Sequence, residues 1–188
     1  MTTAAEIAQA QRRRFDHSQG PRNVGPDEGG PFSIGGIEVR FMAWGAETGG
    51  GFSLVEHPME PRALAAPLHK HTREDEYSYV LEGRMGALLG DDVVHADVGD
   101  FVFKPRDQWH TFWNAGDEPC RILEIISPAG FEDFFAELAT AVEADTRPDP
   151  DQMTERYGIH FDMASIDKIC AEHGLHHPLQ GQGPPPAA

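Results

Sequence analysis

The chain carries HKHTREDEYSYVLEG at residues 69–83 and GDFVFKPRDQWHTFWN at residues 99–114. His69 and His71 are two positions apart, so a strand turns both to one face. Glu76 opens the next strand-like run, and His110 opens another well downstream. Neutral imidazole and carboxylate are both ligands for a divalent transition ion. Three histidines and one glutamate around an octahedral ion leave positions open for water, oxygen or substrate. A structural zinc site is closed and commonly built on cysteine, which this set lacks. Alternation from His110 puts Phe112 and Asn114 on its face and Trp109 and Trp113 on the other. Phe112 and Phe103 are candidate walls of a substrate pocket, and Met42 and Trp44 read equally as pocket wall or core. Lys70, Arg73, Glu74 and Glu82 read as solvated charges. His57 reads as a core or surface histidine, and His95, His173, His176 and His177 read as having no catalytic part.

Outward from these stretches the chain reads as many short strands. Ile37, Val39, Phe41 and Ala43 alternate with Glu38, Arg40, Met42 and Trp44, a period of two. Phe52–His57, Glu76–Leu81, Arg84–Leu89, Val93–Ala96, Phe101–Phe103, His110–Trp113 and Arg121–Ile126 follow, separated by turn residues. That spacing predicts an antiparallel sandwich or barrel. After Ser127 the period changes. Phe131, Phe134, Phe135, Leu138 and Val142 form one helical face, TRPDPD reads as a linker, and Met163–His173 as a second helix stopped by Gly174. The expected organisation is a weakly ordered arm over residues 1–30 with a short helix from Ala4 to Phe15, a barrel over 31–128, a helical extension over 129–180 and a frayed tail over 181–188. The helices are expected to pack outside the sheet.

The 188 residues fit one domain with appendages. Fifteen Lys and Arg against 31 Asp and Glu give a formal charge of −16. A field of that sign repels phosphate backbones and anionic lipid, so no nucleic-acid or membrane partner is expected. No run is long and apolar enough for a membrane span, and residues 1–16 contain no apolar signal core. Cys120 and Cys170 are too few and too far apart for a disulfide framework and read as small buried hydrophobes. A reduced, cytoplasmic setting is the default expectation.

The two quoted stretches resemble the paired motifs of the cupin superfamily. The first family motif is His-x-His, three or four residues, Glu, six residues, Gly; here the gaps are four and six, ending at Gly83. The second is Gly, five residues, Pro-x-Gly, two residues, His, three residues, Asn. It is matched from Gly99 through Pro105 and His110 to Asn114 except that Asp107 replaces the middle glycine. Ala63 stands where the family places a glycine six residues before the first histidine. Asp tolerates a positive φ, so Asp107 is expected to make the same turn. The resemblance spans about residues 37–127 and implies an all-β jelly-roll barrel. It also implies one divalent transition metal per chain (Fe, Mn, Ni, Co, Cu or Zn) held by His69, His71, Glu76 and His110. The layout beyond the motifs is similar to small bacterial monocupins, among them quercetinase-like flavonol dioxygenases. The leading expectation is therefore a metal-dependent dioxygenase that cleaves a flavonol or related enolic small molecule with O2, Glu76 serving also as general base. The alternatives are a non-redox Lewis-acid enzyme (cyclase, isomerase or decarboxylase) and a small-molecule-binding cupin without turnover. The family also implies a homodimer.

Overall fold

In β10 (Cys120–Ser127), Cys120, Ile122, Glu124 and Ile126 are buried while Arg121, Leu123, Ile125 and Ser127 are half-exposed. The same alternation runs through β3 (Ser53–Met59), where Ser53, Val55, His57 and Met59 turn inward, and β5 (Asp75–Glu82), where Glu76, Ser78 and Val80 do. One side chain in two therefore faces a shared interior. The remaining strands are β1 (Phe32–Ser33), β2 (Glu38–Ala43), β4 (Leu68–His71), β6 (Arg84–Leu89), β7 (Asp92–Asp97), β8 (Phe101–Lys104), β9 (His110–Asn114) and β11 (Ile159–Asp162). They form two antiparallel sheets, ordered β1-β2-β3-β10-β5-β8 and β11-β4-β9-β6-β7. Closing these two sheets over a common core makes a jelly roll. This computed structural model describes residues 21, 23–26, 28, 32–33, 37–144, 146 and 149–181. The expected helix at Ala4–Phe15 and nearly all of the expected tail lie outside the described residues.

Among the described residues, three helices follow the barrel: α1 (Glu132–Glu143), α2 (Pro150–Tyr157) and α3 (Ser165–His173). The sequence expectation of helices outside the sheet holds for α3. Its Ile166, Ile169 and Cys170 pack with Leu64 and Trp113 in a cluster separate from the main core. The start of α1 packs against the other, larger cluster. Phe131, Phe134 and Phe135 belong to the main core itself. Glu132 secures them there, accepting from Gly45 N at 2.9 Å and from Gly130 N at 2.6 Å. The linker reading of TRPDPD is also incomplete. Asp149 caps α2, accepting from the Asp151 amide at 2.9 Å, and Gly158 ends it in the left-handed region at φ +69°. The chain then enters β11, which sequence reasoning does not anticipate.

Two backbone positions are decided by close approach. Asp107 takes φ +65°, as its place in the turn between β8 and β9 requires, and its amide donates to the His71 carbonyl at 2.6 Å. Gly86 lies beneath the indole of Trp113, and a β-carbon there would overlap Nε1 and Cε2. Trp113 is 1% exposed and is stacked on His173 at 4.6 Å, so it has no room to retreat. Gly86→Ala is expected to cost about 1–3 kcal/mol through overpacking. In thermal unfolding this is a fall of roughly 2–4 °C per kcal/mol; an unchanged midpoint would contradict the close packing.

Candidate metal centre

His69 and His71 leave β4 on the same inward face, and His110 stands opposite His69 in the β4–β9 register. Glu76 enters from the start of β5. The ring centroids lie 4.5 Å apart for His69–His110, 5.3 Å for His69–His71 and 5.7 Å for His71–His110. One ligand atom from each of the four residues falls within 4.8 Å of all the others, and all four residues are buried. The structure thus brings together the whole predicted ligand set.

The imidazoles are aimed. Nδ1–H of His69 donates to the Pro67 carbonyl at 2.8 Å, and Nδ1–H of His110 donates to the Gln108 carbonyl at 2.9 Å. A carbonyl only accepts, so the proton sits on Nδ1 of each ring; Nε2 of His69 offers its lone pair inward, and Nε2 of His110 lies 3.0 Å from Glu76 Oε2. His71 Nδ1 faces Glu74 Oε2 at 3.7 Å and its Nε2 faces Glu76 Oε1 at 3.3 Å. Neither His71 nitrogen makes a hydrogen bond, nor does Glu74 Oε2. Buried nitrogens and oxygens without partners are costly. Here they converge with two aimed imidazoles, which is the donor set a divalent ion fits.

Electrostatics separate the three histidines. Burial, reinforced by the neighbouring His110 and His71, holds His69 well below its ordinary pKa. Burial also lowers His110. Burial acts in the same sense on His71, but Glu76 and Glu74 outweigh it and raise this imidazole to about 9. For Glu76, burial is outweighed by Lys104 and His71, which hold the carboxyl well below the usual carboxylate range. An ion that binds therefore meets an ionised Glu76 and displaces a proton from His71.

Several surrounding residues differ from the sequence reading. Glu74 is not a solvated charge. It is 5% exposed and supports His71, a carboxylate–imidazole pairing common behind metal ligands. Phe103 is not a pocket wall. It is 47% exposed and stacks on Tyr77 at 4.9 Å on the outer face, because β8 turns Val102 and Lys104 inward instead. Trp44 is in the core, stacked on Phe41 at 4.1 Å, and Met42 is half-buried on β2. Phe112 does point into the barrel, where its ring meets Lys104 Nζ at 4.4 Å and His57 at 6.1 Å. The aromatic groups nearest the ligands are Phe131, 4.4 Å from His71, and Phe161, 5.8 Å from His69. Phe161 is carried by β11 opposite His69. Sequence reasoning also passes over Lys104 and Glu124. The period-two pattern of Ile122, Glu124 and Ile126 is the available signal for Glu124. Cys120 is buried, and burial pushes its thiol up to about 11, in keeping with an inert side chain.

Residues 56–126 match the family model described as the cupin domain. A predicted oxalate decarboxylase from Thermotoga maritima aligns with a TM-score of 0.52 and 22% identity, over 57% of this chain and 99% of that one. A sugar phosphate isomerase from a cupin superfamily, from Silicibacter pomeroyi, aligns with a TM-score of 0.49 and 22% identity, over 56% of this chain and 75% of that one. No curated protein matches the chain. The fold is thus a cupin jelly roll with C-terminal helices, and its group of three histidines and one glutamate is able to hold a metal. Among the described residues, no helix is long and apolar enough to cross a membrane.

Proposed function

We propose that the chain is a metal-dependent enzyme that binds a small enolic molecule of the flavonol or 1,3-dicarbonyl type at His69, His71, Glu76 and His110 and cleaves it with dioxygen. The observation that carries this reading is the convergence of three imidazoles and one carboxylate, all buried, with ligand atoms within 4.8 Å of one another. A bound divalent ion would supply Lewis acidity, lowering the pKa of a coordinated hydroxyl, and access to dioxygen. The protein supplies the rest. His69 and His110, fixed through Pro67 and Gln108, hold the geometry. Glu76 is ionised and accepts the hydroxyl proton of the substrate; a weakly basic carboxylate is sufficient for a hydroxyl that has itself been acidified. Phe131 and Phe161 lie against His71 and His69. They supply apolar surface that excludes water and packs against a flat ligand.

A second reading is favoured by the barrel interior. His57, Lys104 and Glu124 are buried there, a polar set that oxygen cleavage does not call for and that non-redox enolate chemistry, an isomerisation or decarboxylation, would use. Oxygen uptake separates the two. Protein reconstituted in turn with each divalent transition metal is mixed with flavonols and 1,3-dicarbonyl enols, with His110→Ala as control. Uptake that requires both the ion and His110 is the expected result. Product formed without uptake transfers the site to the second reading, and ligand-induced stabilisation without any product overturns the enzyme reading.

A further inference from the structure

The inward position at the end of β8 is occupied by a lysine. Lys104 lies opposite Glu76 in the β5–β8 register and is 1% exposed. A buried ammonium is tolerated only when paired, and this one is enclosed by charge and by an aromatic face. Nζ stands 2.7 Å from Glu124 Oε1 and 3.1 Å from Glu76 Oε2. The Phe112 ring covers it at 4.4 Å. Glu124 is anchored in turn by Ser78, whose hydroxyl lies 3.1 Å and 3.3 Å from its two carboxylate oxygens. Lys104 Nζ is thus turned to two carboxylates and an aromatic face. It reaches the ligand set through Glu76 Oε2, which also lies 3.0 Å from His110 Nε2.

We propose that Lys104, anchored by Glu124, is a positioning residue that holds the Glu76 carboxylate in one orientation, so that Glu76 offers a bound ion a single oxygen and a coordination position stays open. This rests on the metal reading of the same four residues. Without Lys104 the carboxylate is free to turn both oxygens to the ion. That changes the ion's coordination, whereas a lysine serving only to fill space would change stability alone.

The test uses Co2+ as a spectroscopic probe with the full-length chain. Lys104→Met leaves Glu124 unpaired, so the double variant Lys104→Met/Glu124→Gln is prepared beside it to remove the stranded charge. Three quantities are read for each: Co2+ affinity by chelator competition, the visible absorption of the bound ion, and the thermal midpoint of the metal-free protein. The expected result is one Co2+ per chain in wild type and in the double variant. The double variant should show an affinity changed by roughly 10–100-fold, as for other supporting contacts, and a visible band altered in position and intensity. A double variant with the wild-type band and affinity overturns the assignment of Lys104 and leaves the centre intact. Folded wild-type protein that takes up no Co2+ overturns the metal reading and the assignment together.

Discussion

His71→Ala is expected to abolish the stabilisation that added divalent metal gives the folded protein. In wild type, an ion that binds only the folded chain raises stability by RT ln(1 + [L]/Kd), about 2.7 kcal/mol at a concentration a hundred times Kd. His71 is at the centre of the set: its Nε2 faces Glu76 Oε1 at 3.3 Å and its Nδ1 faces Glu74 Oε2 at 3.7 Å. Removing the ring deletes one ligand and leaves two buried carboxylates without their shared cation. The loss of affinity should exceed the roughly 10–100-fold that removal of a supporting contact brings. Metal content after dialysis and the metal-dependent shift in thermal midpoint both measure it. A His71→Ala protein that still binds one ion per chain at wild-type affinity would show that the centre lies elsewhere.

The second large effect concerns pH. Burial lowers His57 from 6.5 to about 4 in the folded protein, and its Nδ1–H is committed to the Glu38 carbonyl at 3.0 Å. The unfolded chain takes up a proton as pH falls below 6.5, while the folded chain does not do so until about 4. The unfolded state therefore binds more protons across that window, and stability falls as pH drops through it. A shift of that size corresponds to about 3 kcal/mol, the loss being complete below the folded value. Urea unfolding of metal-free wild type and His57→Gln at pH 7 and pH 4 measures it: the variant should lose about that much less between the two. Equal losses would mean that the ring takes up its proton over the same pH range in the folded and unfolded chain. His69 and His110 act in the same direction, so the comparison with the variant, rather than the total loss, isolates His57.

What the sequence discloses follows from which interactions are local. His69 and His71 share a face because of a strand's period, and the spacing to Glu76 sets where β5 begins, so four ligands scattered over 42 positions are readable without coordinates. Asp107 is readable for a similar reason, since its turn demands one backbone conformation and Asp accepts it. The surroundings of the ligands are not local. Phe103 and Lys104 are adjacent, and composition alone favours the phenylalanine as the inward residue. The pairing of Lys104 with Glu76 and Glu124 reverses that choice, and the partner on β10 is 20 residues away. Glu74 looks solvated because it sits in a charged run; only the fold of the loop between β4 and β5 buries it against His71. Phe131 belongs to an apolar face, as its periodicity indicates, but nothing in the periodicity shows that this face meets a histidine. β11, four residues between two helices, carries too short a pattern to be read as a strand at all.

β11 also sets the order in which the molecule is completed. It pairs with β4 so that Ile159 lies beside His71 and Phe161 beside His69, about 90 positions apart in the chain. Until those residues have been synthesised, the strand that carries two of the ligands is an open edge with its backbone groups unsatisfied. A ribosome that has produced the barrel through β10 has produced every candidate ligand but not the strand that covers them. Covering of the candidate ligands is therefore a late event in the synthesis of the chain.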